Sequence, residues 1–317
     1  MTDTQNEVFK TPVNKIRLFE HGAPGSQNLK LTRKYYTEDM PDGRVKHIVQ
    51  NITDPDIVPY IPDGIGNSTD RQRIPAVLII PGGAFRRLVY NFEGEDVAKW
   101  LNSMGIAAFV LECRLPSDEH DNAEDVPLID AMRAMRVIRG RAQEFGIDEA
   151  KIGVMGFSAG GFMAALLSTA YESDVYADYK YKDEYDKLSA RPDFAVCSYP
   201  VISIDDCIEA GKRYMSEEQV LERISDSKAK ILHKYNPDKL VRPDMPPVFI
   251  CETDDDRTTL SENSGGFYMA ARKAGVSAEL HIFRTGGHGY GCGDDFAQTG
   301  EWKVLFTKWI KSIGIIS

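Results

Sequence analysis

Long apolar runs are missing from this chain. No stretch approaches the roughly 18 uninterrupted apolar residues of a membrane-spanning helix, so no membrane partner is expected. A basic excess is missing too. Lys and Arg number 38 against 48 Asp and Glu, a net charge of -10, and no compact Lys/Arg cluster stands out. Nucleic acid is therefore not an expected partner, because phosphate contacts need cationic side chains. Cysteine is scarce. Five residues at scattered spacing do not suggest a disulfide framework. Cys197 and Cys251 lie inside apolar runs and read as small buried hydrophobes. The segment MTDTQNEVFKTPVN has no basic stretch followed by an apolar one. A secretory signal is thus not expected, and the cytoplasm is the expected compartment.

The 317 residues are 42% apolar and 27% charged, a balance that folds rather than one that stays disordered. The whole chain, 1–317, reads as a single α/β domain. Residues 1–70 look like N-terminal edge strands and loops. LKLTRKYY and RVKHIVQNI alternate in polarity like edge strands or a hairpin, and TDPDIVPYIPDGIGNSTDRQRIP reads as a loop. From Ala76 a regular rhythm begins. Apolar segments such as AVLII, IAAFVLEC, KIGVMGF, DFAVCSYPVIS, PPVFICE and SAELHIFR read as strands. Between them lie helical patterns, among them EGEDVAKWLNSMG, the long AEDVPLIDAMRAMRVIRGRAQEFG, SAGGFMAALLSTAY and SENSGGFYMAARKAG. GEWKVLFTKWIKS closes the chain as a helix. This alternation predicts a mostly parallel sheet covered by helices on both faces. Two segments break the rhythm. Residues 171–191 are polar and rich in Tyr and Asp, in keeping with a solvated face or with sugar contacts. Residues 203–240 read as a cap or lid excursion, or as a plain connecting helix.

The stretch KIGVMGFSAGG places Ser158 between an apolar strand and an apolar helix. That is the context of a nucleophile elbow, where a tight turn lifts a serine hydroxyl above the sheet. Gly156 and Gly160 permit crowding that a Cβ would block. The first N–H groups of the helix, with its positive end, can meet a developing oxyanion.

A serine hydroxyl needs a base. Of six histidines, His288 in FRTGGHGYGCG follows the last strand on a Gly-rich loop, while His21, His47, His120, His233 and His281 lack that order and position. The base needs an acid to orient it. The loop TDDDRTTLSEN after PPVFICE offers Asp254, Asp255 and Asp256. Ser, Asp and His then follow one another at successive strand ends. The loop IIPGGAFRR after the first core strand supplies candidate oxyanion donors, Gly83 or Ala84, together with the N–H of Ala159.

With these motifs in place, the chain resembles α/β-hydrolase-fold serine esterases, in particular the acetylxylan-esterase-like and lipase-like branch. The likeness runs from Pro81, Gly82, Gly83, Ala84 and Phe85 through EGEDVAKWLNSMGIAAFVLECRLP, KIGVMGFSAGG and SYPVIS to the tryptophan-containing final helix, most of residues 75 to 313. The branch usually carries His at the position of Glu252. Counting through its pattern places the acid at Asp256, or at Asp255 if the loop is shifted by one residue. Cys113 stands where a tyrosine is usual, and 203–240 lacks a segment common among such relatives.

The resemblance implies an α/β-hydrolase fold and ester hydrolysis through an acyl-enzyme. Its implied partner is a small-molecule ester, an acetylated xylo-oligosaccharide or related sugar, with a general small-ester carboxylesterase as the alternative. No metal or cofactor is expected, because the His, Cys and Asp residues lack ligand spacing and Cys292 follows a Gly-rich turn.

Overall fold

The computed structural model describes Phe9 and residues 12–65, 73–220, 230–293 and 298–317. Its centre is an eight-stranded sheet in the order β1-β4-β7-β5-β8-β9-β10-β11. The strands are β1 (Ile16–Arg17), β4 (Asp56–Tyr60), β5 (Ile74–Ile80), β7 (Ala107–Glu112), β8 (Ile147–Phe157), β9 (Ala195–Ser198), β10 (Val248–Thr253) and β11 (Ala278–Phe283). From β7 to β11 every pairing is parallel; β1 and β4 are antiparallel additions at one edge. Strands covered on both faces have to be apolar throughout. Accordingly Ala76 to Ile80, Ala107 to Leu111 and Val248 to Cys251 are all buried.

Helices cover the two faces. They include α1 (Asp96–Ser103), α2 (Val126–Gly140), α3 (Ala142–Phe145), α4 (Ala159–Ala170), α5 (Ile204–Tyr214), α6 (Lys230–Lys234), α7 (Ser261–Lys273) and α8 (Glu301–Ser312). The architecture is that of an α/β hydrolase.

Several segments differ from the sequence expectation, each for a physical reason. The Pro- and Asp-rich stretch read as a loop contains β4, whose Ile57 and Val58 are buried. Pro59 is tolerated because β1 pairs only with Asp56 and Ile57, so the proline lies beyond the doubly paired part. The single long helix is two, α2 and α3, parted at Arg141 (φ -103°, ψ 16°) just after Gly140, a poor helix former. Strand β9 stops at Ser198, because Tyr199 takes a positive φ of 37° and Pro200 cannot donate to a ladder. LKLTRKYY ends inside β2 (Lys34–Asp39), and RVKHIVQNI contains β3 (Val45–Gln50); the two strands form an antiparallel hairpin. The hairpin belongs to a separate three-stranded sheet that it forms with β6 (Leu88–Val89).

Within residues 171–191, Tyr171 and Tyr176 are buried rather than solvated. The Tyr176 hydroxyl donates to Asp186 at 2.8 Å, and Arg133 of α2 bridges Asp183 and Asp186. Tyr181 is exposed. In the 203–240 region, α5 buries Ile204, Cys207 and Ala210, α6 buries Ile231 and Leu232, and Arg213 reaches Glu262 of α7 at 2.8 Å. The part of that excursion at 221–229 lies outside the described residues.

Candidate active site

Strand β8 ends at Phe157, α4 begins at Ala159, and Ser158 alone makes the turn. Its φ of 54° and ψ of -118° are rare for a residue with a side chain. The turn survives because its neighbours are glycines. A Cβ on Gly160 would stand 2.8 Å from the Pro81 carbonyl oxygen and nearer still to that of Ile80, while one on Gly156 would run into the backbone of Gly160. Strain of this kind, on the order of 1–3 kcal/mol, persists only where surrounding structure enforces it.

The turn aims Ser158 at the histidine loop. The Ser158 hydroxyl lies 2.8 Å from Nε2 of His288. Nδ1 of His288 lies 2.6 Å from Oδ2 of Asp256. Asp256 is buried, and its other oxygen accepts the N–H groups of Thr258 (2.7 Å) and Thr259 (3.0 Å). The Thr259 hydroxyl adds a bond to Oδ2 at 2.9 Å. Burial opposes ionisation of Asp256, but the His288 contact and these N–H donors outweigh it and hold its pKa below the usual carboxylate range. Asp255 faces elsewhere and accepts the N–H of Gly287 at 2.8 Å, which steadies the histidine loop. Asp254 accepts from Ser261 at 3.3 Å. Of the three acids in the run, the structure thus brings Asp256 to His288.

The loop after β5 closes the other side. Gly83 (φ 138°), Ala84 (φ 57°) and Phe85 (φ 58°) all take positive φ, which wraps the chain around the Gly83 carbonyl; that oxygen accepts from Arg86 and Arg87. Gly83 and Ala84 line one cavity with Ser158 and His288. Ala159 opens α4, where an N–H has no acceptor within the helix. The cavity measures about 260 Å³. Chemically, the set can move a proton from a hydroxyl to an imidazole and present backbone donors to an oxygen beside them.

A sequence profile described as BD-FAE matches residues 65–270. The chain belongs to the BD-FAE family. It thereby belongs to a carboxylic ester hydrolase fold family. Among relatives of this BD-FAE member, an acetylxylan esterase of Xylanibacter ruminicola is 31% identical over 240 residues, 75% of this chain and 45% of that protein. Endo-1,4-beta-xylanase B of Butyrivibrio fibrisolvens is 31% identical over 227 residues, 71% of this chain and 34% of that protein. The chain therefore spans less than half the length of either. Among solved structures, an acetyl ester-xyloside bifunctional hydrolase from Caldicellulosiruptor lactoaceticus is 34% identical at a TM-score of 0.70, over 96% of this chain and 97% of that one. The carboxylesterase Cest-2923 from Lactobacillus plantarum shares the fold at 20% identity and a TM-score of 0.67, over 90% of this chain and 99% of that one.

Sequence reasoning missed much of the cavity wall in this BD-FAE member. Met40, Arg44 and Lys46 of the hairpin line it beside Arg87, Val89 and Phe92. Arg44 also lies over the Phe92 ring, 5.2 Å from its centroid. The residues of this wall are distant in sequence from Ser158, so no local pattern announces them. Glu93 was missed as well, since an acid at the start of an amphipathic helix reads as solvated. Here it is buried in a π-helical turn, Asn91–Glu95, and accepts the N–H of Gly82 in the loop after β5.

Proposed function

We propose that this BD-FAE member is a serine carboxylic ester hydrolase that removes O-acetyl groups from xylo-oligosaccharides or related sugars. The observation that carries the reading is the chain of contacts from Ser158 through His288 to Asp256, 2.8 and 2.6 Å. Ser158 Oγ bonds to the ester carbonyl carbon while its proton passes to Nε2 of His288. Asp256 holds the imidazole by Nδ1 and stabilises its cationic form. The carbonyl oxygen, now negative, is met by N–H groups of Gly83 or Ala84 and of Ala159. The carbon–oxygen bond to the sugar breaks, and the departing oxygen takes the proton from His288. Water then attacks the acyl-enzyme, again losing its proton to His288, and acetate leaves as Ser158 is restored.

Two features favour a small acyl group on a sugar. The cavity, about 260 Å³, sits at the small end of ligand pockets. Two similar proteins carry names that refer to acetyl esters, an acetylxylan esterase and an acetyl ester-xyloside hydrolase. No helix among the described residues is long and apolar enough to cross a membrane; the cytoplasm is the proposed compartment.

The test is mass spectrometry of acetylated xylo-oligosaccharides incubated with the protein and with Ser158→Ala. Stepwise loss of acetyl mass with wild type alone is expected. Intact oligosaccharides together with cleavage of a simple aryl acetate would replace the sugar substrate by small esters in general.

A further inference from the structure

Among the buried acids that the acyl transfer set out above does not use, Glu93 borders the site. Glu93 is 5% exposed, and both its oxygens face donors. Oε2 accepts the N–H of Gly82 at 2.8 Å, and Oε1 accepts the Tyr199 hydroxyl at 3.0 Å. Gly82 is the residue before Gly83 in the oxyanion-side loop. Tyr199 in turn accepts the N–H of Gly291 at 3.0 Å, three residues past His288. Its ring stands edge-on to His288, 5.0 Å between centroids. The Gly291 carbonyl is held from behind by the indole N–H of Trp302, again at 3.0 Å. One carboxyl group therefore ties the oxyanion-side loop to the histidine loop. The fit leaves no slack, because a Cβ on Gly82 would come within 2.8 Å of Glu93 and 2.9 Å of the Ser158 Cβ.

We propose that Glu93 is a positioning residue for the acyl transfer, bracing the loop of Gly82 and Gly83 against the loop that carries His288. The inference rests on the acyl-transfer reading of Ser158, His288 and Asp256. A buried carboxylate is expensive unless its surroundings compensate. Burial raises its pKa; His288, the Gly82 N–H, the Tyr199 hydroxyl and Lys46 offset part of that. Tyr199 after β9 and Lys46 from the hairpin are the groups that face Glu93. Glu252, next to Asp256, is favoured in its neutral form by burial and by Asp256 itself.

The experiment measures kcat and KM for an aryl acetate from about pH 4.5 to 9 for the full chain, Glu93→Gln and Ser158→Ala, with Tm for each. For Glu93→Gln, kcat is expected to fall about 10- to 100-fold with KM nearly unchanged, as for a misplaced oxyanion donor. Tm should fall modestly, because an amide NH2 replaces one of two oxygens that both accept from donors. Wild-type kcat, whatever the Tm, would make Glu93 a structural residue and overturn the proposal. Should Glu93→Gln not fold, Glu93→Asp keeps the carboxyl group and shortens its reach; its kcat should fall, and wild-type kcat would again refute the proposal. Ser158→Ala separates the two readings. If it is as active as wild type, the acyl-transfer reading fails and Glu93 with it; if it is inactive while Glu93→Gln is unimpaired, only the Glu93 inference fails.

Discussion

Asp256→Asn tests the triad geometry most sharply, because the surroundings dictate how an amide must sit. Oδ1 of Asp256 accepts two backbone N–H groups, at 2.7 and 3.0 Å, and neither can become an acceptor. An asparagine therefore keeps its oxygen there and turns its NH2 toward Nδ1 of His288, now 2.6 Å from Oδ2. A donor facing Nδ1 forces the proton onto Nε2, the nitrogen that has to accept from Ser158. The wrong tautomer costs about 10⁴ in kcat, or about 5.4 kcal/mol at 1.36 kcal/mol per tenfold. Asp255→Ala removes only a bond to the exposed Gly287 N–H, worth about 1 kcal/mol, so the rate should fall less than about tenfold. Hydrolysis of an aryl acetate at pH 7 measures both. Near-normal kcat/KM in Asp256→Asn with a thousandfold loss in Asp255→Ala would refute the assignment and move the acid one residue back.

Three further outcomes are expected. Gly160→Ala drives a methyl into the carbonyls of Ile80 and Pro81 and should destabilise by about 2 kcal/mol or more, seen as a Tm lower by several degrees; an unchanged Tm would mean the elbow is looser than described. Arg44 pairs with Asp42 and Arg87 with Glu38, whereas Lys46 acts on Glu93. Lys46→Glu should therefore raise KM about tenfold for an ester bearing a free carboxylate while leaving KM for a neutral ester nearly unchanged, and an equal rise in both KM values would rule out charge recognition at the cavity. The depressed pKa of Asp256 gives stability that is full above its unfolded value of about 4 and lost as pH falls through the folded one. Thermal melts should show wild type losing more stability below about pH 4 than Asp256→Asn, and parallel curves would contradict the linkage.

What could be read from the sequence was whatever local pattern encodes. The apolar segments from Ala76 onward are strands because a doubly covered sheet has to be apolar throughout. Ser158, the Asp run and His288 each sit at a strand end, so their meeting follows from parallel topology. Which aspartate faces His288 does not follow, since neighbouring residues on a tight loop point in different directions and only coordinates sort Asp255 from Asp256. Strand β4 was hidden by its proline, whose cost disappears only when one knows how short β1 is. Met40, Arg44 and Lys46 were hidden for another reason. Their place in the cavity wall depends on where the hairpin docks, and docking is set by β6, some forty residues further along.

That docking has an evolutionary corollary. Strand β6 is the continuation of the loop that carries Gly83 and Ala84, and it zips directly onto β3. The cavity wall that the hairpin builds and the loop proposed to meet the oxyanion thus form a single mechanical piece. A lineage, or an engineer, that exchanges the hairpin to change substrate also inherits a new foundation for the proposed oxyanion loop. Selectivity and turnover in this molecule should drift together, and variants that improve one without disturbing the other should come from hairpin side chains rather than from its backbone.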